Sequence, residues 1–178
     1  MEENATVNKF PKKVKPELLI ALLAVFISFL TLFVYLYQST IMKTQQKMSV
    51  WPHVTFGPSW GSDYFTINLV NKGVGPAIIK NVSVEINNSQ IDGIHEIMKF
   101  VPDSLQSEYN YSSLFVGQVI MAGEKIQLFQ NRNTETIQHL LKIMETEKIK
   151  IEVCYCSVYK DCWTSTGIKV TESNCDQE

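Results

Sequence analysis

The stretch Leu18–Tyr37 reads LLIALLAVFISFLTLFVYLY, and it decides the architecture of the chain. It carries no charge, and a helix of this length spans roughly 30 Å, the thickness of the hydrocarbon core of a bilayer. A helix also satisfies its own backbone hydrogen bonds in lipid. The run is too long for the apolar part of a secretory signal, and no A-x-A cleavage pattern follows it. We therefore expect residues 18–37 to form one transmembrane helix that is retained as a single-pass signal-anchor.

The basic residues on either side of this segment predict its orientation. Four lysines precede it and two follow it: Lys9, Lys12, Lys13, Lys15, Lys43 and Lys47. Because positive charge is retained on the cytoplasmic side, residues 1–17 are expected to be a short cytoplasmic tail and residues 38–49 a linker. Residues 50–178 then form an extracytoplasmic β-rich domain. The fifteen lysines to one arginine, with abundant Asn and Ile, favour a bacterial source, and hence a place in the periplasm or at the cell surface.

The composition of the domain limits its function. About 135 residues suffice for one domain with its own core. From Thr44 onward acidic side chains outnumber basic ones, fifteen to eleven. Such a domain has no basic surplus with which to bind nucleic acid, so we expect no nucleic-acid partner.

Alternation of apolar and polar residues predicts a mainly-β domain. The predicted strands cover residues 50–56, 64–70, 81–86, 114–121, 125–129, 148–157 and 162–170. The other predicted elements are turns at 57–61 and 71–77, a surface loop at 107–113, and helices at 91–101 and from Asn133 onward. Pro52 places the first strand at a sheet edge, and residues 114–129 and 148–170 each read as a hairpin. Short connections between many strands favour an antiparallel β-sandwich with one or two added helices.

The segment Asn71-Lys-Gly-Val-Gly-Pro-Ala77 is a dense cluster of turn residues between two strands. Gly73 and Gly75 can take positive φ. The Asn71 side chain can bond the backbone of its own turn, and Pro76 fixes φ on exit. This N-x-G-x-G-P-A pattern resembles a turn in immunoglobulin-like sandwich modules of uncharacterised, membrane-anchored bacterial proteins. The resemblance covers about thirty residues; it implies an immunoglobulin-like sandwich and no reaction.

Four cysteines lie in the last quarter of the chain: Cys154, Cys156, Cys162 and Cys175. A turn at residues 158–160 would place Cys156 opposite Cys162 on neighbouring strands, which suits a disulfide bond after modest adjustment. Cys154 would then pair with Cys175 and hold the C-terminal tail to the sheet. Four cysteines allow three connectivities, and this one is preferred. Zinc binding and free buried thiols remain alternatives, although C-x-C and C-x5-C do not match the usual zinc spacing.

Two patterns resemble a catalytic or metal-binding motif but lack a feature that the motif requires. Ser59 lies in a G-x-S-x-G match, but a strand pattern follows it where a nucleophile elbow needs a helix. His53, His95 and His139 lack the spacing of a metal site. We therefore expect no enzyme activity, no metal and no cofactor.

Aromatic residues among turn residues are typical of a recognition surface. The candidates are Trp51, Trp60, Tyr64, Tyr109, Tyr111 and Phe115. The leading interpretation is a protein-interaction or assembly module, anchored in the lipid bilayer through residues 18–37 and bound to another envelope or membrane protein. A homodimer is possible through the small residues Ala24 and Ser28. The alternatives are a small membrane-bound enzyme with a thiol or zinc centre at the cysteines, and a reversed anchor with a cytoplasmic regulatory domain.

Overall fold

A computed structural model describes residues 15–175. Its first element is a single helix, α1 (Pro16–Ser49), which contains the apolar segment 18–37. This helix is long and apolar enough to cross a membrane, judged by length and composition. It continues through residues 38–49, so the predicted linker is helical. The predicted cytoplasmic tail lies outside the described residues except for its last three positions.

Residues from Gln46 onward form a separate compact domain. Its described part contains the strands β1 (Val54–Trp60), β2 (Phe65–Asn71), β3 (Ala77–Ile86), β4 (Ser89–Ile91), β5 (Tyr109–Tyr111), β6 (Val119–Ile120), β7 (Lys125–Asn131), β8 (Ile149–Cys156), β9 (Cys162–Ser165) and β10 (Val170–Glu172). One sheet has the order β1-β2-β7-β5, and the other has the order β10-β9-β8-β3-β4 with β6 also paired to β3. All pairings are antiparallel. The prediction of a mainly-β, antiparallel domain is thus confirmed.

The two sheets share one hydrophobic core. In β2 the residues of one face, Phe65, Ile67 and Leu69, are buried, as their alternation predicts. The second sheet contributes buried side chains such as Val153 and Tyr155 to the same cluster. A helix, α2 (Thr134–Thr146), adds a buried apolar face. The core therefore forms from the alternating faces of strands in both sheets.

α2 begins where the sequence predicts a helix. The Asn133 side chain accepts a hydrogen bond from the Thr136 backbone N–H at 3.0 Å, which satisfies one of the free donors of the first turn. Ile137, Leu140 and Ile143 are buried on one face. The second predicted helix, at 91–101, is instead a 3-10 helix over Ile94–Phe100, since Gly93 precedes it and Pro102 closely follows it.

The predicted strand at 50–56 overlaps β1 only at residues 54–56, and the predicted turn at 57–61 is wrong. β1 pairs with β2 from Val54 opposite Asn71 to Trp60 opposite Phe65, so the glycine, proline and serine between them are strand residues. β1 does lie at the edge of its sheet, as predicted. Pro58 is tolerated there because an edge strand has one side without ladder bonds.

The predicted hairpin over residues 114–129 is also wrong. β6 pairs with β3 in one sheet, while β7 lies between β2 and β5 in the other. Alternation reveals a strand but not its partner, and here the turn at 121–124 leads from one sheet to the other. The predicted surface loop at 107–113 contains β5, and the predicted strand at 162–170 is broken by a turn at Gly167, where φ is 101°.

The strands define two ends of the domain. The entry end, where the chain arrives from α1, consists of residues 47–53 and the loops 72–76, 121–124 and 157–161. β1, β3, β7 and β9 begin there, and β2 and β8 end there. The far end, opposite to it, includes the turn at 61–64 and the segments 105–108 and 131–134.

Candidate functional site

The turn between β2 and β3 is organised by the side chain of Asn71, which is 0% exposed. Its Oδ1 accepts hydrogen bonds from the backbone N–H groups of His53 and Gly73, both at 3.1 Å. Its Nδ2 donates to the carbonyl oxygens of Gly75, at 2.8 Å, and Ile120, at 3.1 Å. The amide thus uses both acceptor positions and both donors. One side chain joins the segment before β1, its own turn and β6.

The glycines of this turn have a role that the sequence does not predict. Neither Gly73 nor Gly75 has positive φ, so the predicted reason for them is wrong. Instead, the backbone of the segment before β1 packs directly on them. A Cβ atom added at Gly75 would overlap the Val50 carbonyl, and one added at Gly73 would overlap the His53 backbone nitrogen. The turn, which Pro76 leads into β3, is therefore the surface on which the chain arriving from α1 is seated.

The four cysteines form two disulfide bonds, Cys154–Cys175 and Cys156–Cys162. Their Cα atoms are 5.8 Å and 4.0 Å apart, respectively. Cys156 lies directly opposite Cys162 in the β8–β9 ladder, the register that the sequence predicts. The first bond holds the segment after β10 against β8. Because every sulfur is engaged in a disulfide bond, none is free in this state to bind zinc or to act as a nucleophile.

Trp51 lies at the entry end, and Trp60 lies at the other end of β1. It lines an open surface groove of about 1010 Å³, with Trp163 and Cys162 also on the groove's walls. Lys47 and Asp161 form an ion pair there, with Nζ and Oδ1 2.7 Å apart. The seven residues of β1 separate Trp51 from the far end. Trp51 and Trp60, although close in sequence, therefore lie at opposite ends of β1.

Phe115 also lies apart from the far end. Its backbone N–H donates to Gln118 Oε1 at 3.3 Å, and Gln118 O accepts from Ile79 N at 2.9 Å. This places Phe115 beside β3, on the segment that leads into β6. The Phe115 side chain is exposed.

The remaining predicted aromatic residues lie across the first sheet at the far end. The register aligns Trp60 with Phe65, Phe65 with Asn131, and Asn131 with Tyr109. At a spacing of about 4.8 Å per strand, Trp60 and Tyr109 stand about 14 Å apart on the two edge strands. Trp60 is 54% exposed, and Tyr64 lies in the adjacent turn.

The tyrosines of β5 are held by stacking. The Tyr109 ring stacks on the buried ring of Phe129 with centroids 5.5 Å apart, and Tyr111 stacks on His95 at 4.3 Å. His95 comes from the 3-10 helix, and the sequence did not predict its part in this surface because the contact is far apart in the chain. We call the exposed members of this surface the aromatic row: Trp60, Tyr64, Tyr109 and Tyr111.

A buried polar network positions β5, and with it half of the aromatic row. Asn131 is 1% exposed; its Oδ1 accepts from the Asn133 backbone N–H at 2.9 Å, and its Nδ2 donates to Ser107 Oγ at 2.9 Å. Ser107 Oγ lies 3.1 Å from Thr136 Oγ1, which donates to the Leu105 carbonyl at 2.6 Å. The network fixes the segment before β5 against the start of α2. The sequence alone did not identify Asn131 or Ser107 as its members.

Comparisons with protein-family models, with curated proteins and with solved structures gave no match. The chemistry of the aromatic row therefore has to be inferred from its own residues. Asp63 lies in the turn beside Tyr64, and Glu108 directly precedes Tyr109. Exposed aromatic rings beside carboxylates suit a partner that carries lysine or arginine, through cation–π and ionic contacts.

One ion pair lies near the row. The Lys99 ammonium donates a hydrogen bond to Glu96 Oε1 at 2.7 Å, and this bond lowers the pKa of the Glu96 carboxyl. Glu96 follows His95, so one carboxylate stays ionised beside the stacked ring. Because Lys99 balances this carboxylate, the ion pair adds no net charge to that edge.

The structure does not assemble the other candidate residues into a site. Ser59 lies within β1 opposite Thr66, in a strand and not in a strand-to-helix elbow. His53 is at the entry end, His95 at the far end, and His139 on α2. Among residues 15–175, the one group of three side chains with metal-ligand atoms close together is made of cysteines that are already in disulfide bonds.

Proposed function

We propose that this chain is a single-pass membrane protein whose extracytoplasmic domain, an immunoglobulin-like β-sandwich, binds another envelope or membrane protein. The observation that carries the proposal is the aromatic row. Its exposed rings stand on the two edges of one sheet, and stacking and a buried hydrogen-bond network hold those of β5 in place. Rigid, exposed tyrosine and tryptophan side chains supply contact area at low entropic cost, which is typical of binding surfaces.

The disulfide bonds support an extracytoplasmic location. Such bonds persist in oxidising compartments and are rare in the cytosol. The lysine bias around residues 18–37 favours the same orientation. Both arguments support a domain and an aromatic row outside the cytoplasm, and the partner that we propose is therefore another protein of the envelope or membrane.

Thiol labelling on intact cells tests the orientation. A bulky, membrane-impermeant maleimide is applied with and without prior reduction. We expect labelling only after reduction, because the cysteines are outside and paired. Labelling that needs permeabilised membranes but no reductant would reverse the anchor and favour a cytoplasmic regulatory domain.

Site-specific photocross-linking tests the binding surface. A photoreactive amino acid is placed at Tyr111 or Trp60, and as a control at Thr171, which is exposed on β10 of the other sheet. We expect a discrete protein adduct from both row positions and none from the control. Substitution of Tyr109 by serine should remove the adduct from Tyr111, since it deletes a neighbouring ring. Equal adducts from all three positions, or none from the row, would contradict the proposal.

A further inference from the structure

The entry end exposes apolar side chains on several neighbouring loops. One lies before β1, one in the turn after β2, one after β6 and two in the β8–β9 loop: Trp51, Val74, Met121, Val158 and Tyr159. Val74 is 65% exposed and Met121 is 61% exposed. Scattered single apolar residues need no explanation, but apolar tips gathered on one end of a domain mark an interaction surface.

Hydrogen bonds hold these tips together as one surface. The Val74 backbone N–H donates to the Trp51 carbonyl at 2.9 Å. The Gly123 N–H donates to the Asn71 carbonyl at 2.8 Å, which fixes the loop after β6 to the same turn. The β8–β9 loop is closed by the Cys156–Cys162 bond at its base. The apolar tips are therefore presented by a fixed framework.

The charge of the entry end differs from that of the remaining domain. Three lysines lie there, Lys47, Lys72 and Lys160, and Lys125 follows directly as the first residue of β7; the acidic residues are Glu124 and Asp161. Asp161 is paired with Lys47, which leaves three lysines against Glu124. Elsewhere in residues 46–175 acidic side chains outnumber basic ones, eleven to seven. The entry end is thus a positive, apolar surface on an otherwise acidic domain.

We propose that the entry end rests on the headgroups of an anionic lipid bilayer. Tryptophan, tyrosine and aliphatic tips flanked by lysines are the composition that binds at a membrane interface, where apolar burial and attraction to anionic lipids act together. The rest of the domain carries more acidic than basic side chains, so attraction to anionic lipid favours docking through the entry end. The inference rests on the proposed anchoring of residues 18–37, since the chain enters the domain at this end.

The length of the chain is compatible with this contact. Residues 38–49 extend α1 by about 18 Å beyond the apolar segment, and the headgroups occupy about 5–8 Å of that distance. The loop 157–161 reaches as far as Lys47, before the helix ends. Lysines attract anionic lipids over about 8–10 Å at physiological ionic strength. The length of chain between the apolar segment and the domain therefore allows the entry end to come within electrostatic reach of a bilayer.

The three tryptophans supply the test, because one lies at each end of β1. The full chain is reconstituted in nanodiscs that contain a headgroup-spin-labelled lipid, with or without phosphatidylglycerol. One variant keeps only Trp51 (W60F/W163F) and a matched variant keeps only Trp60 (W51F/W163F). We expect quenching of Trp51 to exceed that of Trp60 at least about twofold with phosphatidylglycerol, and to fall with added salt.

Lysine variants test whether the quenching of Trp51 depends on the positive charge of the entry end or only on its distance from the bilayer. The triple change K72Q/K125Q/K160Q should remove most of the Trp51 quenching. The matched triple K142Q/K148Q/K169Q, at exposed lysines outside the entry end, should leave it unchanged. Equal quenching of both tryptophans, or equal quenching of Trp51 in phosphatidylcholine alone, would overturn the inference.

Hydrogen exchange on the unmodified chain keeps the test valid if a tryptophan variant does not fold. Amides of the loops 72–76 and 157–161 should be protected in anionic nanodiscs relative to neutral ones. Protection that depends on protein density and not on lipid charge would indicate a second copy as the occupant and overturn the inference. A chain that does not enter nanodiscs at all would instead refute the proposed anchoring.

Discussion

The two ends of the domain each contain one buried asparagine at the end of a strand, and the two asparagines bond differently. Asn71, the last residue of β2, bonds backbone groups of three segments directly and uses its whole amide. Asn131, the last residue of β7, accepts a bond from the Asn133 backbone N–H, but its Nδ2 donates to the Ser107 hydroxyl, which lies beside that of Thr136. Hydroxyl protons rotate to suit their partners, so the second network can adjust.

This difference indicates that the entry end has a structural role, whereas the far end positions the side chains of the aromatic row. At the entry end, backbone packs on backbone over two glycines, and any added atom must displace the chain. At the far end, side chains bond side chains around the start of β5. We therefore expect substitutions at the entry end to lower the free energy of unfolding, and substitutions at the far end mainly to disturb the aromatic row.

Gly75→Ala is expected to have the largest effect. The added Cβ atom would overlap the Val50 carbonyl, and neither backbone can move without breaking the bonds of Asn71. We expect a loss of about 4 kcal/mol in the free energy of unfolding, at the extreme of single substitutions. Guanidinium unfolding of the full chain in nanodiscs, followed by tryptophan fluorescence, measures it.

Gly57→Ala is the matched control for that change. A Cβ atom at Gly57 meets nothing within 4 Å, and this glycine lies in the edge strand β1. Its free energy of unfolding should change by no more than about 0.5 kcal/mol. Similar losses for Gly57→Ala and Gly75→Ala would show that the close approach at the entry end contributes nothing specific.

Asn71→Ala and Asn131→Ala compare the two ends directly. Removing the Asn71 amide leaves two N–H and two C=O groups without this partner, and we expect a loss of about 3 kcal/mol. Removing the Asn131 amide should cost about 1.5 kcal/mol, because the hydroxyl groups of Ser107 and Thr136 can re-pair. The same unfolding measurement checks both values.

A second readout distinguishes the roles of the two asparagines. Asn131→Ala should reduce photocross-linking from Tyr111, since β5 loses its anchor, while any Asn71→Ala protein that folds should keep it. A larger loss of stability for Asn131→Ala than for Asn71→Ala would contradict this assignment of roles. So would a loss of cross-linking with Asn71→Ala alone.

The sequence predicted those elements whose signals are local. The apolar run 18–37, the alternation in β2, the Asn133 cap and the register of the β8–β9 hairpin all depend on neighbouring residues, and all four are present. The errors came where partners are distant in the chain. β6 and β7 look like a hairpin but join different sheets, because alternation gives no information about the pairing strand.

The candidate surfaces show the same limit. The sequence identifies Asn71 because turn residues cluster next to it in the chain. The positive φ predicted for Gly75 is wrong, since what requires a glycine there is the backbone of Val50, which lies 25 positions earlier in the chain. The sequence does not predict the buried hydrogen bonds of Asn131 or the stacking of His95 on Tyr111, because no pattern of neighbouring residues marks either contact. Trp51 and Trp60 are close in sequence, and the strand between them separates them in space.

The two disulfide bonds differ in the length of chain that they close. Their sequence separations are 21 residues for Cys154–Cys175 and 6 residues for Cys156–Cys162. Because the entropy lost by the unfolded chain grows with loop length, we expect the double change C154S/C175S to cost roughly 3 kcal/mol and C156S/C162S roughly 2 kcal/mol. Unfolding of both variants under oxidising conditions tests the order; equal losses would contradict the entropic explanation.

The smallest effect concerns Tyr155, whose buried hydroxyl joins the second sheet to the start of β1. Its oxygen accepts a hydrogen bond from the Val54 backbone N–H at 3.1 Å. Burial raises the pKa of the Tyr155 hydroxyl above its ordinary value of 10.0, although the bond from Val54 acts in the opposite direction. The folded state therefore holds this proton more tightly than the unfolded state, so the stabilisation is complete below pH 10 and is lost as the pH rises through the folded pKa.

Tyr155→Phe tests this pH dependence. At about pH 8 the variant should be less stable by about 1 kcal/mol, since the buried Val54 N–H loses its acceptor. Between about pH 10 and pH 11 the difference between the two proteins should shrink, because only the wild type then pays for ionising a buried tyrosine. All other tyrosines are present in both proteins, so their contributions cancel in the comparison. A difference that stays constant up to pH 11 would show that Tyr155 ionises no less readily in the folded state, and that the entry end is open to water at the start of β1.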